Sequence, residues 1–247
     1  YKNKKTGATA SVVDLPGIYS LSPYTPEEVV SRNYILEEKP DCVINIVDAT
    51  NLERNLYLTT QLLEMDVPVV IALNMMDAVA KNGDSIDEEK LAKALGVPVI
   101  GISALKEANL DGLMSAAIHA SEAPRQGRSF LKDCLVQELI DSLSKDYEGK
   151  GILNARFHAT KLVEDDEIEK AAEPELSAKV VTCKATFTNE TFGTDFEAII
   201  ADARYKYISE YLAPAETKRI RKASEKMTLS DRIDKVMTNK WVALPLF

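Results

Sequence analysis

The amino-acid sequence predicts an α/β fold with a mostly parallel sheet, followed by an all-α region. From residue 9 to about 124, short apolar runs alternate with amphipathic stretches, a pattern typical of strand–helix–strand units. After about residue 124, strand-like runs nearly vanish and the apolar residues take helical spacing. The change in pattern predicts two domains.

The alternating region predicts four strands, near 9–14, 41–48, 67–74 and 97–102. It also predicts helices near 52–66, 87–95 and 109–122. One more helix is predicted at Thr25-Pro26-Glu27-Glu28, because these residues supply a capping hydroxyl, a proline at the first helical position and a glutamate three residues after the cap. Residues 18–26, between the first strand and this helix, are predicted to form a mobile loop.

The stretch Ala123-Pro124-Arg125-Gln126-Gly127 predicts the domain boundary. The expected domains are residues 1–124, a helical domain at 125–227, and a separate C-terminal segment at 228–247. A long helix is predicted from the capping box Thr194-Asp195-Phe196-Glu197. Its apolar face is expected to belong to the core of a helical bundle and consists of Phe196, Ile199, Ile200, Ala203, Tyr207 and Tyr211.

Three short motifs follow predicted strands of the first domain. The carboxyl ends of parallel strands are where open α/β sheets place their ligands. We therefore predict that the three motifs form one nucleotide site. Its residues are Asp14, Leu15, Pro16 and Gly17, then Asn74, Met75, Met76 and Asp77, and finally Ser103, Ala104 and Leu105.

The second and third motifs have the chemistry needed to select guanine. The carboxylate of Asp77 can accept hydrogen bonds from the adjacent N1 and N2 donors of guanine, which adenine lacks. The backbone N–H of Ala104 is predicted to donate to guanine O6, and Asn74 to join the base loop to the phosphate loop. Adenine is rejected because buried polar groups left unpaired cost roughly 1–3 kcal/mol each.

The first motif has the chemistry of a phosphate site. Asp14 is predicted to hold Mg²⁺ through a water molecule, and the N–H of Gly17 to meet the γ-phosphate. The three motifs are the third, fourth and fifth signature elements of a GTPase, in order, so the predicted sheet is P-loop-GTPase-like. Each motif alone is also compatible with a plain strand-ending turn or a helix cap, and only their shared position favours GTP or GDP binding.

Composition limits the other function classes. The net charge of −9 and the lack of a basic stripe in the first half argue against nucleic-acid binding. The cysteines Cys42, Cys134 and Cys183 lie far apart, which suits a reducing compartment. The acidic run Glu164-Asp165-Asp166-Glu167 is expected to be a solvated helix start rather than a metal site.

The end of the chain has a different composition. Between Glu216 and Lys240 there are eight basic and four acidic residues, and the apolar run 241–247, beginning with Trp241, follows. Seven apolar residues cannot cross a bilayer, which needs about 20. Basic residues beside a tryptophan fit the cytoplasmic flank of a membrane helix. A tail docked on the helical domain is the alternative.

Several stretches closely resemble the cytoplasmic amino-terminal region of bacterial ferrous-iron transport protein B. They are 12–24, 51–59, Asn74-Met75-Met76-Asp77, 203–208, 232–235 and 244–247. The resemblance covers essentially the whole chain. It implies a GTPase domain at 1–124, a helical regulatory domain at 125–227, and a juxtamembrane segment with the start of the first membrane helix at 228–247. It also implies that the first two lie at the cytoplasmic face of the inner membrane and are coupled to a membrane part that carries Fe(II) into the cell.

The sequence departs from that family in two ways. The 247 residues contain no Gly-x-x-x-x-Gly-Lys-Ser/Thr phosphate loop, and its strand is missing too. We therefore expect weak nucleotide binding by this chain alone and an unpaired sheet edge that allows association into a homo-oligomer. Ile18 follows Gly17 where many small GTPases have a glutamine, so hydrolysis is expected to be slow, and no catalytic residue is predicted.

Two other functions stay open from the sequence. One is a soluble GTPase of the same broad class that acts on ribosomes or RNA. The other is a non-catalytic regulatory module in which the nucleotide sets the position of the helical domain.

Overall fold

A parallel sheet of three short strands forms the centre of the first part of the chain. The computed structural model describes residues 1–2, 7, 9–125, 127–131 and 133–218. The predicted juxtamembrane segment 228–247 and the end of the predicted helical domain lie outside the described residues. Residues 1–217 form one compact unit.

The first part contains strands β1 (Val43–Asp48), β2 (Val69–Asn74), β3 (Ser85–Ile86) and β4 (Val99–Gly101). Its helices are α1 (Pro26–Glu38), α2 (Leu52–Leu62), α3 (Met76–Asn82), α4 (Glu88–Leu95) and α5 (Leu110–Ala120). The second part contains α6 (Gln137–Gly149), α7 (Ala155–Val163), α8 (Glu167–Ala172), α9 (Pro174–Thr186) and α10 (Phe196–Tyr207). A π-helical turn (Ile208–Leu212), a 3₁₀ turn (Ala213–Ala215) and strand β5 (Glu216–Thr217) follow.

The strand order is β1-β2-β4, and both pairings are parallel. Strand β2 lies in the middle, and residues 69–73 are at most 2% exposed. Successive side chains of a strand point to opposite faces. Val69, Ile71 and Leu73 therefore pack into a core with α2 and α4, while Val70 and Ala72 pack against α5. The predicted layered α/β fold is confirmed.

Helix α1 begins where the sequence predicts. The side chain of Thr25 accepts a hydrogen bond from the Glu28 N–H, and the Glu28 carboxylate accepts one from the Thr25 N–H. Pro26 occupies the first turn, where its missing N–H has no helical partner to lose. The loop before α1 is anchored, because Leu21 is fully buried and its N–H donates to Gln61 Oε1 at 2.7 Å.

The predicted strand near 9–14 is wrong. Thr9 forms only an isolated bridge with Lys2, and residues 11–14 have no regular secondary structure and do not belong to the described sheet. Strand β1 is the edge of that sheet, and residues 11–14 do not pair with it. Without a neighbouring strand, Val12 and Val13 stay 62% and 52% exposed. An apolar run needs a partner strand as well as the right composition, because its backbone groups must be paired.

Helices α6 to α10 surround a second core, whose members among the described residues all lie between 131 and 203. The predicted helix near 194 is present as α10, and its first apolar residues are buried, but the predicted cap is wrong. The cap residue is Asp195, whose side chain accepts a hydrogen bond from the Ala198 N–H. A carboxylate caps as well as a hydroxyl, so two adjacent candidates cannot be separated by residue type.

The chain returns to the first core after α10. Ile208, Leu212 and Ala215 are buried in the same cluster as β2, and β5 pairs antiparallel with β3. The helix is π-helical over Ile208–Leu212, so the predicted apolar stripe does not continue straight, and Tyr211 is 37% exposed. The domain boundaries at 124 and 227 stay predictions.

Half of the acidic run 164–167 is buried, contrary to the expected solvated helix start. Glu164 accepts a hydrogen bond from Lys161 Nζ at 2.6 Å, and Asp166 from Arg32 Nη1 at 2.5 Å. A buried charge is unfavourable unless it is paired, and these two carboxylates are paired with Lys161 and Arg32. Within the part of the chain that the structure describes, no group of three or more metal-ligating side chains is close enough to hold a metal ion.

Candidate functional site

The second and third predicted motifs lie side by side at the carboxyl edge of the sheet. Leu73 of β2 is in register with Gly101 of β4, and the Ile102 N–H donates to the Leu73 carbonyl at 2.8 Å. Because the strands are parallel and adjacent, the residues that follow them emerge at the same edge. There, the Ala104 N–H donates to Asn74 Oδ1 at 3.0 Å.

Met75 makes the turn between β2 and α3. Its φ is 67°, in the left-handed region, and the N–H of the next residue, Met76, donates to the Ile102 carbonyl at 3.2 Å. Helix α3 therefore begins immediately, and Asp77 lies in its first turn. The sequence did not predict α3, because seven residues are too short to show a helical period.

A closed turn presents the third motif. The Ala108 N–H donates to the Ser103 carbonyl at 2.9 Å, and the Lys106 N–H lies 3.4 Å from Ser103 Oγ. Ser103 is 4% exposed, whereas Leu105 is 90% exposed. The turn therefore has a fixed, buried base and an apolar side chain in solvent at its tip.

Asp77 is held as an ionised acceptor. The Ser103 hydroxyl and the Lys106 ammonium group lower the pKa of its carboxyl, and the hydrogen bond from Ser103 has the larger effect. Lys106 Nζ lies 3.2 Å from Asp77 Oδ2. The site therefore presents a carboxylate and a backbone N–H from neighbouring loops, which is the donor and acceptor pattern expected for a guanine edge.

The first predicted motif lies apart from this pair. Asp14, Pro16 and Gly17 are exposed, and the motif is fixed to α1 by the hydroxyl of Ser31, which donates to the Pro16 carbonyl at 3.2 Å. A Cβ atom on Gly17 would have no heavy atom within 4 Å, so close approach from outside is open. Among the described residues, no hydrogen bond or ion pair joins Asp14 or Gly17 to Asn74, Asp77 or Ser103.

The side chain of Asp14 has the chemistry that the predicted Mg²⁺ role requires. Its exposed carboxylate is a hard oxygen donor, and Mg²⁺ in phosphate sites is held by one or two carboxylates together with water and phosphate oxygens. Cavities of about 510 Å³ occur elsewhere, one of them beside Val69 and Pro98 at the opposite edge of the sheet. That cavity has no part in the predicted base site.

Lys106 is a polar residue at this predicted site that sequence reasoning did not select. Its position in the sequence could have indicated this contact, because Lys106 follows Ala104 by two residues on the same tight turn and can reach α3. Lysine in a loop is usually solvated, so composition alone gave no reason to select it.

The fold and the paired loops define a G domain followed by a helical domain. Residues 1–117 match the family described as ferrous iron transport protein B, and residues 135–216 match the FeoB cytosolic helical domain. The chain therefore belongs to the ferrous iron transport protein B (FeoB) family, in which it corresponds to the cytosolic part that carries the GTPase domain.

Among relatives, the Fe(2+) transporter FeoB of Legionella pneumophila (strain Paris) is 34% identical over 99% of this chain and 33% of its own length. A Porphyromonas gingivalis fusion protein of Fe(2+) transport protein A and the Fe(2+) transporter FeoB is 38% identical over 96% of this chain and 29% of its own length. The chain thus spans about a third of the length of the curated relatives it matches.

Solved structures agree with the fold. A GDP-bound mutant of the S. thermophilus FeoB G-domain superposes with a TM-score of 0.73 at 38% identity, covering 83% of this chain and 80% of that one. The cytosolic domain of L. pneumophila FeoB gives 0.70 at 33% identity, covering 83% and 79%. In the described part of this chain, no helix is long and apolar enough to cross a membrane.

Proposed function

We propose that this chain is the guanine-nucleotide-binding cytosolic portion of a ferrous-iron membrane transporter, at the cytoplasmic face of the bacterial inner membrane. Binding and slow hydrolysis of GTP are coupled to Fe(II) uptake by the membrane part of the transporter. The family to which the chain belongs and the GDP-bound relative support this proposal. The observation that carries it is the pairing of Asp77 with the Ala104 loop.

Base recognition follows from that pairing. The ionised Asp77 carboxylate accepts from guanine N1–H and N2–H, while the Ala104 N–H donates to O6. In the structure, Asn74 Oδ1 accepts from the Ala104 N–H. Binding of guanine therefore requires this N–H to be shared or released, and the freed carboxamide can turn toward the base or the phosphate loop.

The phosphate end depends on the first motif. The Asp14 carboxylate would hold Mg²⁺ through a water molecule, and the ion would supply positive charge that offsets the charge developing on the phosphates. The Gly17 N–H donates to the γ-phosphate, where the lack of a side chain leaves room. Ile18 cannot orient water, because it has no hydrogen-bonding group, so slow hydrolysis is expected.

Competition binding tests the nucleotide part of the proposal. A version extended upstream of Tyr1 by a phosphate-loop segment should bind GDP and not ADP, because only guanine satisfies Asp77. Measuring single-turnover hydrolysis of GTP by the same version then distinguishes an enzyme from a non-catalytic module. The isoleucine at position 18 favours the non-catalytic module. Equal binding of both bases would contradict the proposed site.

Transport is tested separately. In a full-length transporter that contains this chain, loss of guanine binding should lower Fe(II) uptake into cells or vesicles. Unchanged uptake by a variant that no longer binds GTP would show that the nucleotide site does not drive transport.

A further inference from the structure

The ammonium group of Lys106, which has no role in the proposed base site so far, contacts the carboxylate of Asp77. Lys106 Nζ lies 3.2 Å from Asp77 Oδ2, and the two side chains are 62% and 24% exposed. The backbone N–H of Lys106 points to Ser103 Oγ at 3.4 Å, so the lysine starts from the same closed turn that presents Ala104. The contact is therefore built by the two loops of the site rather than by a distant flexible side chain.

We infer that Lys106 is a specificity-determining residue of the base site, which sets how strongly guanine is preferred over xanthine. This inference rests on the proposed function, because it assumes that Asp77 accepts from a purine edge. Two physical effects support it, and both act in the same direction.

The first effect is competition. An ammonium group has three donors and no acceptor, so it occupies the Asp77 carboxylate in the same way as the N1–H and N2–H groups of guanine. Guanine must displace Lys106 or share the carboxylate with it. Because the Lys106 side chain is mostly exposed, displacing it from Asp77 costs little but is not free. Lys106 therefore weakens guanine binding slightly.

The second effect concerns a base with the opposite group at C2. Xanthine carries a carbonyl oxygen where guanine carries an amino group, and an Asp77 carboxylate repels that oxygen. An ammonium group beside Asp77 supplies the donor that the oxygen needs. Lys106 therefore reduces the penalty against xanthine, and the guanine preference of the site is lower than Asp77 alone would give.

The test compares dissociation constants of GDP and XDP, measured with a version of the chain that is extended upstream of Tyr1 by a phosphate-loop segment, because the 247-residue chain is expected to bind neither nucleotide tightly. Lys106→Met keeps the length of the side chain and removes the charge. We expect it to raise the GDP-over-XDP preference about tenfold, the size of one partly exposed charge-assisted hydrogen bond. Lys106→Arg retains a cation with several donors and should keep the wild-type preference.

Lys81 provides a matched control. It is an exposed lysine in the last turn of α3, the helix that carries Asp77. Lys81→Met removes the same charge from the neighbourhood and should leave the GDP-to-XDP ratio unchanged. A second readout needs no variant: raising the salt concentration should increase the wild-type preference, because screening weakens the exposed ion pair.

The outcomes separate the two proposals. If the extended version binds neither nucleotide, or if its wild-type form does not prefer GDP, the proposed base site is wrong and Lys106 has no such role. If GDP is preferred but Lys106→Met behaves like Lys81→Met, the site is right and the role of Lys106 is refuted. If Lys106→Met does not fold, a wild-type preference that is independent of salt refutes the role.

Discussion

Asp77 is the residue on which the proposed base selection depends. It lies in the first turn of α3, and Ser103 and Lys106 keep it ionised. Its position follows from the left-handed turn at Met75, which ends β2 and starts the helix within one residue. A carboxylate fixed in this way accepts hydrogen bonds and cannot donate them.

Replacing Asp77 with asparagine should therefore reverse part of this pattern. Asp77→Asn is expected to lower affinity for GDP by on the order of a hundredfold and to favour xanthine nucleotides, because the amide donates where guanine also donates. Competition binding on a version with a phosphate-loop segment measures this. Glu107→Gln removes an exposed carboxyl from the turn that carries Ala104; it is the control and should bind GDP normally. Unchanged GDP affinity in Asp77→Asn would refute the assignment.

Cys42 gives a pH-dependent prediction. Burial, with a further contribution from Asp41, raises the pKa of the Cys42 thiol to about 11. The unfolded thiol titrates near about 8.5. The native state therefore holds the proton more tightly, so its stabilisation from this group is complete below about 8.5 and is lost as the pH rises through about 11.

Alkylation measures this directly. At pH 8, Cys42 should react on the order of a hundredfold more slowly in the folded protein than in urea, because the thiolate is the nucleophile. Mass spectrometry of the Cys42 peptide after timed iodoacetamide treatment follows the rate, which should rise with pH up to about 11. Equal rates in the folded and unfolded protein would show that the thiol is not shielded.

At the scale of elements, buried ion pairs join α1 to the second part of the chain. Arg32 of α1 donates to Asp166 and to Glu169 of α8, at 2.5 Å each, and all three side chains are at most 5% exposed. A similar pair joins Arg204 of α10 to Glu64, with two hydrogen bonds of 2.9 and 2.8 Å. Buried ion pairs thus join elements that are far apart in sequence, and removing one partner leaves the other charge buried without its counter-ion.

Arg32→Met should lower the free energy of unfolding by about 3–5 kcal/mol, because the buried carboxylates of Asp166 and Glu169 lose their guanidinium partner. Urea unfolding followed by circular dichroism measures the change. The control is Arg125→Met, which breaks the pair of Arg125 with the 90% exposed Asp41 and should cost less than about 1 kcal/mol. Equal effects of the two substitutions would show that burial does not decide the value of these pairs.

At the scale of the whole molecule, the described residues supply the base end of the proposed nucleotide site. The base loops are assembled, but the 247 residues contain no phosphate-loop motif. Charge-assisted hydrogen bonds to phosphate are the strongest in such sites, at roughly 1.5–3 kcal/mol each.

Calorimetry on the 247-residue chain should therefore show no micromolar binding of GTP or GDP. Adding a phosphate-loop segment upstream of Tyr1 should raise affinity by at least about three orders of magnitude, which is the loss expected when several such bonds are absent. Tight binding by a chain whose intact mass shows that it begins at Tyr1 would mean that other residues hold the phosphates.

Local rules explain the features that sequence reasoning predicted. The capping box of α1 involves residues three apart, and the alternation of apolar runs that predicts β1, β2 and β4 is equally local. The two base-loop motifs could be recognised in the sequence because each one directly follows a predicted strand. The resemblance to the FeoB family, carried by short exact stretches, is confirmed by the family matches.

Only the tertiary structure decided which distant groups meet. The exposed valines at 12 and 13 show that an apolar run becomes a strand only beside a partner. The pairs of Arg32 with Asp166, 134 residues apart, and of Lys106 with Asp77 depend on how whole elements pack. Charge burial is a property of the folded surroundings, so a sequence shows that a residue is charged but not whether water or a counter-ion will neutralise it.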